Sequence, residues 1–243
     1  MEKTLLLMKF SMSSSPPPNK VSIIIPCYNE KGTILEIIRR VVETALPIEK
    51  EILIVDDGST DGSRELLQKI NNCQVYFHDH NLGKGAAIKT ALAHASGDIF
   101  LIQDADLEYH PKDFQRLLEP ILHDHAQVVY GSRELGHNQK HSGWFFYSGA
   151  LFITWLTNLL FGAHLTDEAT GYKVFTREVL NKINLSAQGF DFCPEITAKI
   201  LKLGIPIIEI PISYQPRLKK QGKKIKFRDG WLAVCVLLRE KMS

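Results

Sequence analysis

Three polar segments contain residue types that are typical of ligand binding, and each follows directly on an apolar run. They are residues 26–30 (PCYNE), 56–63 (DDGSTDGS) and 104–106 (DAD). In an open α/β sheet, ligands bind in the crevice outside the carboxyl ends of the strands. If the three apolar runs are parallel strands, the polar segments therefore lie along one edge of the sheet and form a single site.

Asp104 and Asp106 carry the clearest chemistry. Side chains two residues apart in an extended chain point to the same side, and two carboxylates held together repel each other unless a cation lies between them. Ligand sets made only of oxygen favour Mg²⁺ or Mn²⁺, with phosphate oxygens completing the coordination. The alternative is a pair of turn aspartates, since Asp is common in turns. The apolar run at 99–102 and Pro111, which is typical of a helix start, favour the metal site.

Two further segments suit a nucleotide. The carboxylate of Asp57 could accept hydrogen bonds from a base or a ribose hydroxyl, although residues 56–63 could also be only a capped helix entry. Residues 81–85 (NLGKG) resemble a glycine-rich anion cradle before a helix, but they lack the Walker pattern.

We interpret His78 as a loop residue. Asp191 and Glu195 are interpreted as solvated acids at a helix start, with general bases as the alternative if the reaction requires one.

Length and composition describe an ordinary folded domain. The chain has 243 residues, 44% of them hydrophobic and 23% charged, which suits one domain with a sizeable core. A net charge of +2 gives no reason to expect a nucleic-acid partner. The four cysteines are not paired at metal-ligand spacing, which fits a reducing compartment and a cytoplasmic location.

The order of apolar patterns predicts the fold. Strand-like runs in the first half lie at 21–25, 52–55, 75–77, 99–102 and 128–130. Helical patterns between them lie at 33–42, 63–70 and 85–94, and another helix opens near Pro111. Later come strand-like runs at 173–175 and 205–210 and helices at 194–203 and 231–238. Repeated strand–helix units with continuously apolar strands predict an α/β fold whose mostly parallel, Rossmann-like sheet has helices on both faces.

Three segments outside this pattern need separate interpretation. We predict that residues 1–20 form a disordered tail before a single domain at 21–243. Residues 142–165 contain no Asp, Glu, Lys or Arg, so 144–163 is either a core helix or a helix in the membrane interface. A full membrane span is the least favoured interpretation. The basic loop at 215–228 is a solvated face or a clamp for phosphates or anionic lipid heads.

Taken together, these motifs resemble family 2 glycosyltransferases with the GT-A fold. The matching segments are 26–30, 55–59 with Asp61 and Gly62, 81–85, and 104–107 with His110 and Pro111. Residues 131–133, 167–173, 209–212, Arg217 and 222–225 resemble the polyprenyl-phosphate branch, which includes dolichol-phosphate mannosyltransferase. The resemblance covers about residues 21 to 230. Many bacterial members of that branch carry C-terminal membrane spans, and no such span follows here.

The resemblance implies a role for each matching residue. Pro26, Tyr28, Glu30 and Asp57 would hold the nucleoside, while Asp104 and Asp106 would bind Mg²⁺ or Mn²⁺ on the donor diphosphate. Arg217 and Lys224 would neutralise the diphosphate or the acceptor phosphate, and Asp167 would lie near the acceptor. We assign Lys84, Ala105 and Arg133 to the nucleotide-sugar site as well.

The expected reaction is inverting transfer from a GDP- or UDP-sugar to a polyprenyl (dolichyl or undecaprenyl) phosphate. It would occur at the cytoplasmic face of a membrane, with the protein bound peripherally or through a small membrane-anchoring subunit. A phosphate acceptor is already an anion and needs no general base. The alternatives are a family 2 enzyme acting on a glycan or other hydroxyl and a non-catalytic nucleotide-sugar-binding protein. A nucleotidyltransferase is disfavoured because no glycine-rich, lysine-bearing loop follows the first strand.

Overall fold

The computed structural model describes residues 17–136, 143–217 and 227–243. Within these ranges the strands form one seven-stranded sheet. The strands are β1 Lys20–Cys27, β2 Glu49–Asp56, β3 Gln74–Phe77, β4 Ile99–Ile102, β5 Val128–Ser132, β6 Lys173–Thr176 and β7 Ile207–Pro211. Every strand predicted from an apolar run is present, with ends that differ by a few residues.

The helices agree with the predicted pattern except for one short element. They are α1 Ile34–Glu43, α2 Ser63–Leu67, α3 Lys84–His94, α4 Phe114–His123, α5 Trp144–Phe161, α6 Arg177–Lys182, α7 Phe192–Lys202 and α8 Phe227–Met242. A 3₁₀ turn at Pro111–Asp113 precedes α4, as Pro111 indicated. The sequence analysis missed α6, which has only six residues and is capped by the Thr176 side chain. Such a helix is too short to show a clear apolar period.

Strand directions explain why the motifs converge. The strand order is β3-β2-β1-β4-β6-β5-β7, and only β6 runs antiparallel to its described neighbours. The predicted mostly parallel sheet is therefore confirmed. Since β1, β2, β3, β4, β5 and β7 share a direction, their carboxyl ends meet at one edge, and β6 begins at that edge. The segments that follow these six strands, and the one that precedes β6, therefore lie at the same edge.

Helices cover both faces of the sheet, as predicted. Ile23 and Ile25 of β1 belong to a core cluster that includes residues of α1 and α4. Ile24, between them, belongs to a second cluster that includes residues of α3 and α7. Side chains alternate across a strand, so β1 can be apolar at successive positions only because both faces are covered.

The N-terminal boundary differs from the prediction. Residues 1–16 lie outside the described residues, so the disorder predicted for them stays a prediction. The Asn19 amide, however, donates to the Asp98 carboxylate at 2.9 Å, and Lys20 opens β1 with its ammonium 3.1 Å from Glu51. These contacts place residues 19 and 20 inside the folded domain, and extending the tail to residue 20 was wrong.

Helix α5 faces the core on one side only, as its core-facing interpretation requires, and its location in a membrane interface stays a prediction. Ile153 and Thr157 are buried, and Ile153 clusters with residues of α7 and α8. On the other side, Phe152, Trp155 and Leu159 are 50%, 56% and 64% exposed. Within the described ranges, no helix is both long and apolar enough to span a bilayer. One face of the helix therefore packs against the domain, and the opposite face exposes large apolar side chains to solvent.

Candidate active site

One cavity of about 1110 Å³ opens along the edge where the strands end. It is lined by every site residue predicted from the sequence that the structure describes. These are Pro26, Tyr28, Glu30, Asp57, Lys84, Asp104, Ala105, Asp106, Arg133, Asp167 and Arg217. Lys224 lies outside the described residues, so its role stays a prediction. Residues from distant parts of the chain share this cavity because their strands share an edge.

The carboxylates of Asp104 and Asp106 lie close enough to influence each other. Burial, the charge of Asp104 and the charge of Glu108 together raise the pKa of Asp106 to about 7. The ammonium of Lys84 lies 2.5 Å from Oδ1 of Asp104. Burial alone would lower the pKa of Lys84, but the Asp104 carboxylate raises it above its usual value. This corner of the cavity therefore holds more negative than positive charge.

The donor set fits a divalent cation that is bound together with a nucleotide. No third acidic, His or Cys side chain converges with the pair as a metal ligand anywhere in the described ranges. Two carboxylates leave coordination positions for phosphate oxygens and water, which is how Mg²⁺ is usually held. Gly171 makes room for the pair, because a Cβ at this position would lie 2.3 Å from Oδ2 of Asp104.

Glu108 is an acid of this site that the sequence analysis missed. Its carboxylate accepts hydrogen bonds from the Arg217 amide at 2.8 Å and the Tyr214 hydroxyl at 3.2 Å. It lines the cavity beside Asp106. The spacing of two residues from Asp104 to Asp106 continues to Glu108, and that continuation could have identified it.

The Asp57 carboxylate holds the loop that carries Lys84. Its oxygens accept hydrogen bonds from the amides of Leu82 and Gly83, both at 2.9 Å. Nδ1 of His78 lies 2.8 Å from the same carboxylate, and Nε2 of His78 lies 2.9 Å from the Thr90 hydroxyl. His78 lies in a loop after β3, as predicted, but it also orients Asp57, a role that its local sequence does not indicate.

Residues 81–85 do not form the anion cradle suggested by their glycines. The amides of Leu82 and Gly83 are bonded to Asp57, and those of Gly85 and Ala86 donate to the carbonyls of residues 189 and 188 at 3.2 and 2.9 Å. A phosphate would find these amides already bonded. The loop therefore contributes the side chain of Lys84 to the cavity, and these four backbone amides contribute no ligand-binding group.

Gly83 should be essential for this loop. Its φ is +103°, and a Cβ would lie 2.4 Å from the Gln188 carbonyl oxygen. We expect Gly83→Ala to lower the free energy of unfolding by about 2–4 kcal/mol, because backbone strain and the clash add. Gly32→Ala is the matched control, since nothing lies within 4 Å of its Cβ position. Urea denaturation of both variants measures the difference, and equal midpoints would contradict the assignment.

Arg133 and Asp167 form a two-pronged ion pair on the cavity wall. Nε and Nη2 of Arg133 donate to the two oxygens of Asp167 at 2.7 and 2.6 Å. The Asp167 backbone amide donates to the Glu209 carboxylate at 2.9 Å, which fixes the backbone that carries this aspartate. A planar guanidinium held in this way keeps one orientation, so Asp167 positions Arg133.

Glu30 and Arg217 bond to each other across the cavity. Nη2 of Arg217 lies 2.6 Å from Oε2 of Glu30, and Nε of Arg217 donates to the Asp106 carbonyl at 2.8 Å. The resemblance assigns Glu30 to the nucleoside and Arg217 to a phosphate. Both residues border the predicted donor position, and a donor that contacts them has to compete with this ion pair.

The two candidate general bases are structural. Glu195 is fully buried and accepts the amides of Ser186 and Ala187, with Lys199 at 2.7 Å. Burial would raise the pKa of Glu195, but the hydrogen bonds from Lys199 and Ser186 hold it below its usual value. Interpreting Glu195 as solvated was wrong. Asp191 accepts the Gly189 amide at 2.8 Å. Neither acid lines the cavity.

A buried polar cluster lies beneath Asp167. Nζ of Lys173 donates to the Glu168 carbonyl at 2.7 Å and lies 3.7 Å from the Glu168 carboxylate. The same ammonium is 3.7 Å from the ring centroid of Tyr130, whose hydroxyl bonds to Thr197 at 2.9 Å. The apolar pattern places Lys173 at the start of a strand and gives it no further role. Its position in an otherwise apolar run was the available signal.

Apolar side chains of two helices also line the cavity. Phe152 and Ile153 of α5 and Trp231, Ala233 and Val234 of α8 belong to its wall. Trp231 is also 64% exposed, so this wall continues onto the surface. The cavity therefore joins the charged residues around Asp104 to apolar side chains of α5 and α8, and Arg228 and Asp229 of α8 also line it.

Comparisons with known proteins agree with this architecture. The chain is 28% identical over 226 residues to the glycosyltransferase AglJ of Haloferax volcanii, covering 92% of this chain and 73% of the relative. It is 28% identical over 212 residues to the dolichol-phosphate mannosyltransferase of Pyrococcus furiosus, covering 84% of this chain and 59% of that protein.

A solved structure of similar fold is glucosyl-3-phosphoglycerate synthase from Mycobacterium tuberculosis, in complex with Mn²⁺, UDP and glucosyl-3-phosphoglycerate. It matches 92% of this chain and 80% of its own, with a TM-score of 0.73 and 19% identity. The sequence profile of glycosyl transferase family 2 matches residues 22–183, two thirds of the chain. The chain belongs to glycosyl transferase family 2.

Proposed function

We propose that this glycosyltransferase moves a sugar, with inversion, from a nucleoside diphosphate donor to a polyprenyl phosphate at a membrane surface. The observation that carries the proposal is the shape of the cavity. One continuous space joins the carboxylates of Asp104 and Asp106 to the apolar walls of α5 and α8. A charged diphosphate suits the first end, and the chain of a polyprenyl phosphate suits the second.

At the donor end, Asp104 and Asp106 would hold Mg²⁺ or Mn²⁺ against the diphosphate. The Mn²⁺ and UDP bound to the mycobacterial synthase support this assignment. When bound, the metal stabilises the charge that develops on the leaving diphosphate. Lys84 and Arg217 add fixed positive charge at the same end of the cavity. Pro26, Tyr28, Glu30 and Ala105 line the space left for the nucleoside and sugar.

At the acceptor end, the chemistry favours a phosphate over a hydroxyl. A hydroxyl acceptor needs a general base, and the two candidates suggested by the sequence, Asp191 and Glu195, accept backbone hydrogen bonds and do not line the cavity. A phosphate is already a nucleophilic anion, and Arg133, oriented by Asp167, offers it a fixed cation. The dolichol-phosphate mannosyltransferase among the relatives supports the same acceptor class.

Product partitioning tests the acceptor. Purified protein is incubated with Mn²⁺, radiolabelled GDP-mannose or UDP-glucose, and a polyprenyl phosphate, with the unphosphorylated polyprenol as the matched control. We expect label in the organic phase only with the phosphate. Label that remains entirely in water, or equal transfer to the polyprenol, would contradict the proposal. Thermal shifts with UDP, GDP and ADP, each with and without Mn²⁺, identify the donor base, because a ligand stabilises the fold that binds it.

The exposed face of α5 should contribute to membrane binding. We expect Trp155→Ser combined with Leu159→Ser to weaken co-sedimentation with phosphatidylcholine–phosphatidylglycerol vesicles by about tenfold or more, because two large apolar side chains no longer enter the interface. Leu35→Ser on α1, also at an exposed leucine, is the control. Equal vesicle binding by the double variant and the control would contradict a membrane role for α5. Activity on a short acceptor in detergent should stay unchanged, since Trp155 and Leu159 do not line the cavity.

A further inference from the structure

The environment of Asp104 includes a cation supplied by the protein itself. Lys84 is the first residue of α3, and its ammonium lies 2.5 Å from Oδ1 of Asp104, with both side chains less than one-fifth exposed. On the other side of the carboxylate, Gly171 approaches so closely that a Cβ would lie 2.3 Å from Oδ2. One oxygen of the Asp104 carboxylate is therefore already paired with an ammonium, and the backbone of Gly171 lies close to the other oxygen. A metal ion that binds Asp104 has to compete with the ammonium.

The position of Lys84 is fixed by the surrounding backbone. The two preceding amides, of Leu82 and Gly83, are bonded to Asp57, and the amides of Gly85 and Ala86 donate to the 188–189 segment. The loop is therefore held from both sides. The ion pair with Asp104 follows from this placement and is not the chance contact of a long surface side chain.

The remaining groups near Asp106 are also engaged. The Asp106 carboxylate accepts the Glu108 amide at 3.1 Å, and the Glu108 carboxylate accepts the Arg217 amide. No third metal-ligating side chain joins the pair within the described part of the chain. A bare divalent ion would gain only two carboxylates here and would be repelled by the nearby ammonium.

A nucleoside diphosphate changes this balance. Its phosphate oxygens supply ligands for the metal and a second acceptor for the Lys84 ammonium. We propose that Lys84 takes the place of the divalent ion at Asp104 until the donor arrives, so that the metal binds well only together with the diphosphate. This inference rests on the proposed metal site at Asp104 and Asp106. Lys84 would thereby prevent the site from holding a metal ion without its substrate.

Direct measurement of Mn²⁺ binding tests the inference without any assay of activity. Free Mn²⁺ is followed by electron paramagnetic resonance while protein is added, alone and with UDP or GDP. For the wild type, we expect binding of Mn²⁺ to be about tenfold or more tighter with the nucleotide that binds. For Lys84→Met, we expect binding of Mn²⁺ alone to be about tenfold tighter than in the wild type, with a smaller gain from nucleotide.

Two controls separate the possible outcomes. Lys89→Met changes a lysine of the same helix whose ammonium bonds to the Ser186 carbonyl at the surface, and it should match the wild type. Lys84→Gln keeps a polar side chain and serves if Lys84→Met does not fold by circular dichroism. Equal Mn²⁺ binding without nucleotide in the wild type and the folded Lys84 variant would overturn this inference alone. No Mn²⁺ binding in the wild type with either nucleotide would overturn the metal site as well.

Discussion

Replacing Asp104 by Asn should reduce the rate of sugar transfer by about a thousandfold or more, because the site loses a metal-binding charge where the leaving diphosphate needs it. The substitution keeps the shape of the side chain, so the fold should be retained. It also leaves Lys84 without its carboxylate partner, so the site carries one negative charge fewer. Steady-state rates at saturating donor and Mn²⁺ measure the effect.

The control for this prediction is an aspartate outside the cavity. Asp124 lies exposed at the end of α4, and Asp124→Asn should retain the full rate. The Asp104 variant should also lose the Mn²⁺-dependent part of the thermal stabilisation by nucleotide. If Asp104→Asn transferred sugar at the rate of the Asp124 variant, the metal assignment would be wrong, whatever the acceptor proves to be.

The largest effect on stability is expected at Lys173. Its side chain is fully buried, and the Glu168 carboxylate beside it is only 1% exposed. We expect Lys173→Met to lower the free energy of unfolding by about 3–5 kcal/mol, because Glu168 would be left as a buried charge without its cation. Urea denaturation at neutral pH measures this loss. Activity should fall as well, since Glu168 adjoins the residue that orients Arg133.

A double variant and an ion pair at the protein surface serve as the controls for this prediction. Lys173→Met combined with Glu168→Gln removes both charges and should recover most of the loss. Lys182→Met breaks the exposed ion pair with Glu178 and should cost no more than about 0.5 kcal/mol. If Lys173→Met were as mild as Lys182→Met, the ion pair with Glu168 would contribute little to the fold.

The pH dependence of this pair follows from the direction of its shift. Burial alone would lower the pKa of Lys173, but Tyr130 and Glu168 raise it above its usual value. A raised pKa in the folded state gives stability that is fully present below the unfolded value and is lost as the pH rises through the folded value. The stability that the Lys173 ammonium contributes to the wild type should therefore be constant near neutrality and decrease only in strongly alkaline buffer, which urea denaturation of the wild type at a series of pH values measures.

The sequence predicted the sheet well because its strands are buried on both faces. Runs such as 99–102 are apolar at every position, and little besides a central strand of an α/β sheet requires that pattern. The motifs at the strand ends could then be placed on one edge by topology alone. This reasoning brought Asp57, Asp104 and Asp106 into one cavity, and the structure agrees.

The errors lie where tertiary contacts decide the role of a residue. A glycine-rich segment before a helix is compatible with an anion cradle, and only the fold reveals that residues 188 and 189 already accept amides of this loop. Glu195 and His78 have ordinary local sequences, yet one is a buried anchor and the other orients Asp57. Hydrogen bonds between residues far apart in the chain leave no periodic signal, so sequence patterns could not reveal these roles.

The most direct test of the account is a crystal structure of the protein with Mn²⁺ and the nucleoside diphosphate selected by thermal shift, measured at a wavelength where manganese scatters anomalously. We expect one strong anomalous peak that lies about 2.1 Å from carboxylate oxygens of Asp104 and Asp106 and from diphosphate oxygens. Such a structure should also show Lys84 withdrawn from Asp104 towards a phosphate. A peak that contacts neither aspartate, or a bound nucleotide without any peak, would contradict the account.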